Sequence, residues 1–210
     1  KNRIWWVARS EGDQFVNERW GAWSDRILWR DVSAGDFDGD GRDDVAGRAS
    51  NGAWWVAHST GSEFLNEKWG HWSSQLVWND VLVGDFDGDG RDDLAGRAGE
   101  TWWVAQSTGS TFVNASWGGW STRATWSDVQ VADVDNDGRD DIVGRANNGA
   151  WWVARSTGVS LRNDLWGYWN RTRSWSDVSV VELNRDGREE LVGRTDEQWW
   201  GALSPGSPGR

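Results

Sequence analysis

The residues best placed to do chemistry sit in a repeated nine-residue segment. Asp85-Phe86-Asp87-Gly88-Asp89-Gly90-Arg91-Asp92-Asp93 sets carboxylates at loop positions 1, 3, 5 and 9 and glycine at position 6. The same segment recurs as residues 36–44 and, slightly altered, as residues 133–141. The candidate ligands are Asp36, Asp38, Asp40 and Asp44; Asp85, Asp87, Asp89 and Asp93; and Asp133, Asp135, Asp137 and Asp141. Arg42, Arg91 and Arg139 at position 7 would add main-chain carbonyls, with their side chains pointing away. Like charges held this close repel unless a cation lies between them. Hard oxygen donors in a flexible loop suit Ca²⁺ better than metals that want nitrogen or sulfur. Ca²⁺ in a structural role is therefore the expected cofactor, and an acidic turn without metal is the alternative. In a worn fourth copy the corresponding residues are Glu182, Asn184, Asp186, Arg188 and Glu190. Its longer acids and neutral Asn184 leave metal binding and a bare turn equally open.

The loop is not an EF-hand. That motif needs Glu at position 12, where this chain has Gly47, Gly96 and Gly144. The flanks, Val81 to Gly84 and Leu94 to Arg97, read as short strands, so the loop closes a β-hairpin.

The wider composition removes several classes of function. The 210-residue chain has a formal charge of −11, much of it inside the loops, and no basic cluster, which argues against nucleic acid or an anionic membrane as partner. No apolar run reaches the roughly 18 residues of a membrane span, so no insertion is expected. No secretion signal is visible before Lys1, which fits a chain that is processed or cut from a longer one. Cysteine is absent, and no nucleophile elbow, phosphate loop or zinc motif occurs. His58 and His71 have no counterparts in the other repeats. The chain is expected not to be an enzyme; a pair of carboxylates meeting in space is the one catalytic route left open.

Trp-Trp pairs begin at residues 5, 54, 102, 151 and 199, a period of about 49 residues that defines a tandem repeat. Each full repeat continues with a Gly turn, Trp-Gly-x-Trp, Trp-x-Asp-Val, the acidic loop and Gly-Arg. This pattern uses all 22 tryptophans. Four strands per repeat are expected: Val81–Phe86, Asp93–Arg97, Trp102–Ser107 and a fourth between Phe112 and Trp126. Residues 1–203 would form one all-β domain, a β-propeller of four-stranded antiparallel blades, with 204–210 a Pro/Gly/Ser tail.

The run Asp85 to Ala95, after Val83-Gly84, resembles the FG-GAP or VCBS repeat of integrin-type calcium-loop propellers. The likeness covers nearly the whole chain. It implies that the metal loop joins the first two strands of each blade. It also implies an extracellular or cell-surface setting, with adhesion, lectin activity or accessory binding as roles. The tryptophan-rich third and fourth strands depart from that pattern. Four repeats favour a four-bladed ring closed by pairing N-terminal with C-terminal strands; an open or strand-shared array is the alternative.

Two features could carry binding. Trp-Gly-x-Trp reads as a loop with a variable tip, occupied by Ala22, His71, Gly119 and Tyr168. Indole faces stack on the C–H faces of sugars, which makes Trp20, Trp23, Trp69, Trp72, Trp117, Trp120, Trp166 and Trp169, with Asn66, the candidate glycan ligands; packing between blades is the competing role. The recurrent Arg48, Arg97, Arg145 and Arg194 are expected to pair with the aspartates of Trp-x-Asp-Val on the next blade. The expected function is a calcium-stabilised binding module whose partners are glycans or an extracellular protein. The alternative is an adhesive or self-assembling scaffold that associates through its unmatched terminal strands.

Overall fold

The computed structural model describes residues 3–202; the 204–210 tail lies outside them. All regular structure among the described residues is strand. β1 (Arg3–Ser10) and β2 (Phe15–Trp23) form a two-stranded sheet. Three four-stranded sheets follow: β3 (Trp29–Gly35), β4 (Asp44–Ala49), β5 (Ala53–Ser59) and β6 (Phe64–His71); β7 (Trp78–Gly84), β8 (Asp93–Ala98), β9 (Thr101–Ser107) and β10 (Phe112–Gly119); β11 (Trp126–Ala132), β12 (Asp141–Ala146), β13 (Ala150–Ser156) and β14 (Leu161–Tyr168). β15 (Ser176–Val181), β16 (Glu190–Thr195) and β17 (Gln198–Ala202) form a three-stranded sheet. The chain divides into two compact units, Lys1–Val77 with Ser107–Val113, and Trp78–Gln106 with Asn114–Arg210.

These sheets are propeller blades, with neighbouring strands in sequence paired antiparallel. Three blades are complete; β1–β2 supply only strands three and four of the repeat, and β15–β17 only strands one to three. The expected pairing of N-terminal with C-terminal strands is not among the described sheets: β1 pairs with β2, and β17 with β16.

Two bulges recur from blade to blade, one in the first hairpin and one between the third and fourth strands. Arg30 faces Arg48 and Ser33 faces Ala46, so Asp31 and Val32 together oppose Gly47. Asp31 bends the strand with φ 51°, and Asp80, Asp128 and Asp177 do the same within 2°; aspartate is among the few residues that tolerate this left-handed geometry. The second bulge lies in the fourth strand: Trp54 faces Gly70 and Trp55 faces Lys68, leaving Trp69 as the extra residue. Trp-Gly-x-Trp is therefore the end of a bulged strand, not the loop expected from sequence.

The bulges aim the tryptophans. Trp120 meets Trp102 edge to face within its blade, with ring centroids 5.3 Å apart, then stacks on Trp126 at the start of the next blade at 4.1 Å. Trp23 and Trp169 repeat both contacts. The glycine opposite the first bulge makes room for this ring. A Cβ on Gly144 would lie 2.6 Å from Trp120, and one on Gly47 would lie 2.4 Å from Trp23. Gly144→Ala is expected to destabilise the protein by about 1–3 kcal/mol through overpacking; unchanged denaturant midpoint and slope would contradict this packing.

Candidate functional site

Each complete acidic loop joins the first two strands of its blade and ends at position 9, the first residue of the second strand. Position 1 organises the turn. Asp85 Oδ1 accepts from the N–H groups of Gly88 (2.8 Å) and Asp89 (3.1 Å), and its Oδ2 from Gly90 (2.8 Å). Asp36 makes the same three bonds, and Asp133 accepts from Asp137 and Gly138. Gly41, Gly90 and Gly138 at position 6 hold φ of 83°, 86° and 80°, which glycine adopts without a Cβ penalty.

Position 9 is buried: Asp44 and Asp93 are 0% exposed and Asp141 1%. Asp44 Oδ1 accepts from Ser59 N–H (2.8 Å) and Asp141 Oδ1 from Ser156 N–H (2.7 Å), tying loop to third strand. Asp44 Oδ2 and Asp135 Oδ1 are buried without a hydrogen-bond partner. Burial pushes Asp44 up to about 6 and Asp141 up to about 8, with Asp38 and Asp135 adding like charge. In these sites the ionised form is the costly one. Carboxylate oxygens of Asp85, Asp87 and Asp93 lie within 4.8 Å of one another, as do those of Asp133, Asp135 and Asp141, and those of Asp36, Asp38 and Asp40. Converging oxygens with orphaned lone pairs are a donor set that can hold a hard cation.

Position 5 behaves otherwise. Asp89 and Asp137 stand outside those groups, and the guanidinium groups of Arg91 and Arg139 fold back onto them, as Arg42 does onto Asp40. The arginine side chains thus do not point away as expected; they supply the nearest countercharge. In the fourth loop the acids are engaged internally. Glu190 accepts from Leu183 N–H and Asn184 Nδ2, Glu182 from the N–H groups of Asn184 and Arg185, and Arg188 holds Asp186 down to about 2.

Sequence reasoning missed one position around the loops. The residue that varies as His58, Gln106 and Arg155 is partly buried over its loop in each copy. Gln106 Nε2 donates to Asp87 at 2.7 Å, Arg155 Nη1 to Asp135 at 3.4 Å, and His58 Nδ1 lies 3.4 Å from Asp38. The signal was available, since every occupant carries a nitrogen able to face a carboxylate.

A second omission is the link between loops. Asp140, at position 8, accepts from Asp85 N–H (2.8 Å), while its own N–H donates to Asp85 O (2.9 Å). Glu189 clasps Asp133 in the same way, at 2.9 and 3.0 Å. The recurrent arginines also differ from expectation. Arg48, Arg97, Arg145 and Arg194 pair with Asp31, Asp80, Asp128 and Asp177 of their own hairpin, at 2.6–2.9 Å from Nε. The bulge turns each aspartate toward the adjacent strand and away from the next blade.

Most of the candidate glycan residues are interior. Trp23, Trp69, Trp72, Trp117 and Trp120 are only 3–7% exposed, and rings so covered offer no face to a sugar. Trp69 instead packs edge-on against Phe112 at 5.2 Å. Asn66 accepts from Trp23 Nε1 (2.7 Å) and donates to Ala22 O (3.4 Å); Asn163 does the same for Trp120 and Gly119. That amide is a bracket to the preceding blade. Trp20, Trp166 and Trp169 remain half-buried. Trp169 borders an open cavity of about 360 Å³ together with Tyr168, Asn170, Arg173, Trp175 and Trp200.

Residues 36–96 and 85–144 match the family model of the FG-GAP-like repeat, together more than half of the chain. The chain belongs to the FG-GAP-like repeat family. No curated protein matches it in sequence. Among solved structures it is similar to an Agrocybe aegerita lectin described as specifically recognising non-reducing terminal N-acetylglucosamine. That likeness has a TM-score of 0.69 at 16% identity and covers 97% of this chain. This chain spans 66% of that protein's length, and at this identity the likeness shows the fold alone. A second similarity, to BBS1N in complex with ARL6DN, has a TM-score of 0.42 at 11% identity over 82% of this chain and 52% of that one; it carries no argument.

The clasp between loops generates a prediction. Asp140→Ala removes the acceptor of Asp85 N–H and is expected to cost about 1–3 kcal/mol. Asp43→Ala, at the same loop position but exposed, is expected to stay within about 0.5 kcal/mol. Urea denaturation of the two variants checks this, and equal losses would contradict it.

Proposed function

We propose that this protein is a non-catalytic, extracellular carbohydrate-binding module whose acidic loops hold Ca²⁺. The observation that carries the reading is the open cavity of Tyr168, Trp169, Asn170, Arg173, Trp175 and Trp200. Aromatic walls suit the apolar faces of a pyranose, and the amide and guanidinium beside them suit its hydroxyls and acyl groups. Tyr168 occupies the variable position of Trp-Gly-x-Trp and is 66% exposed. The Agrocybe aegerita lectin supports the substrate class and makes terminal N-acetylglucosamine the first sugar to try. Bound Ca²⁺ would neutralise the converged carboxylates, with Asp85, Asp87 and Asp93 and their counterparts as the donors and the position-7 carbonyls beside them.

A second reading, self-association, rests on a different observation. Phe112 is 6% exposed and packs against Phe37 and Trp69, whereas its counterpart Phe15 is 73% exposed. An apolar cleft of about 190 Å³ bordered by Val134, Trp151, Trp166 and Leu191 presents the counterparts of Phe37 and Trp69. Phe15 of a second copy would suit it, and the particle mass in solution decides the matter.

A glycan array tests the main reading. Binding to glycans with terminal N-acetylamino sugars is expected, and Tyr168→Ala and Trp200→Ala, both at exposed side chains of the cavity, should each weaken it at least tenfold with the circular dichroism spectrum unchanged. A folded protein that binds no glycan would overturn the lectin assignment. Binding indifferent to both substitutions would move it away from this cavity.

A further inference from the structure

We propose that the first acidic loop is a site for a nitrogen-accepting divalent cation of the Zn²⁺ type, with His58, Asp38 and Asp44 as ligands. The proposal deepens the reading of the loops as cation sites and rests on it. His58 projects from β5 over the loop, its side chain 16% exposed. Nδ1 lies 3.4 Å from Asp38 Oδ2 and 3.6 Å from Asp44 Oδ2, and one ligand atom from each of the three residues falls within a 4.8 Å group. Asp44 is fully buried, and its Oδ2, aimed into the group, has no hydrogen-bond partner. That orphaned oxygen is the independent sign of a ligand.

The imidazole is also held as a metal ligand would be. Nε2 lies 3.6 Å from Glu67 Oε2, so a carboxylate stands behind the ring, on the side to which the Nε2–H of a metal-bound imidazole would point. The ring rests against Trp69, with centroids 4.8 Å apart. One neutral nitrogen with carboxylate oxygens is a donor set for Zn²⁺ and its neighbours among the transition metals.

The other two loops cannot do this. At the same position Gln106 donates to Asp87, and Arg155 places a fixed positive charge beside Asp135 and Asp164. Neither offers a nitrogen lone pair. The chain's other histidine, His71, sits against Asn51 O at 3.1 Å.

The experiment is calorimetric titration of the full chain with ZnCl₂ and, separately, CaCl₂, repeated on His58→Gln, Glu67→Gln and His71→Gln. Co²⁺ absorption serves as a spectroscopic readout of nitrogen ligation. Glutamine is the residue β9 carries at this position, so His58→Gln is compatible with the blade. The expected result is one Zn²⁺ per chain bound at least tenfold more tightly than any other. That site should weaken tenfold or more in His58→Gln and about tenfold in Glu67→Gln, and stay unchanged in His71→Gln, with Ca²⁺ binding preserved in all. Zn²⁺ binding that is indifferent to His58, or that depends on His71, would overturn the proposal while Ca²⁺ binding upheld the loop reading. Zn²⁺ held through His58 with no Ca²⁺ bound anywhere would support this site and remove the calcium reading.

Discussion

A carboxylate buried at the head of each second strand is the constraint on which the rest of this structure depends. Asp44, Asp93 and Asp141 are withdrawn from water, face other acids, and in two loops receive the N–H of a serine on the third strand. A buried ionised carboxylate is strongly disfavoured unless hydrogen bonds and an opposite charge offset it. The chain supplies part of that compensation through Ser59, Ser156 and the turned backbone of the loop. A bound cation would supply the remainder most directly, since it can face several carboxylates at once. In those two blades, loop, first hairpin and third strand are therefore coupled through one residue.

Tryptophan and glycine solve the other problem, that of joining one blade to the next. Trp23, Trp120 and Trp169 each leave their own sheet, cover a glycine of the following hairpin and pack on that blade's first tryptophan. Asn66 and Asn163 fix the indole N–H of Trp23 and Trp120, 43 residues earlier in sequence. With so much indole committed to packing, the residues that vary between repeats are the ones free to differ in chemistry. Tyr168 lies at a strand end and His58 above a loop, and both are variable positions set in a constant frame.

Much of this frame was legible in the sequence. The 48–49-residue period, the acidic loops and three of the four strands followed from composition, alternation and turn residues, because those signals are local. What sequence hid was direction. A residue repeated in every blade recurs in the same way whether it packs on a neighbour or faces solvent, so Trp69 and Trp117 read as exposed aromatics when they are core. The arginines were assigned to the wrong blade because a left-handed aspartate at a bulge reverses the side chain that alternation would send outward. His58 was set aside for lacking counterparts, although the feature shared across blades was its position over the loop and not its residue type.

Thermal unfolding of the metal-stripped chain, followed as CaCl₂ is added and then removed with excess EGTA, tests the central claim most directly. The account predicts a melting temperature that rises with the logarithm of free Ca²⁺ above the dissociation constant and returns in EGTA, by several degrees at millimolar Ca²⁺. Asp44→Asn and Asp141→Asn should each remove part of that rise. A melting temperature identical in Ca²⁺ and EGTA would mean that the buried carboxylates are compensated by the protein alone, and the loops would then be acidic turns without a cation role.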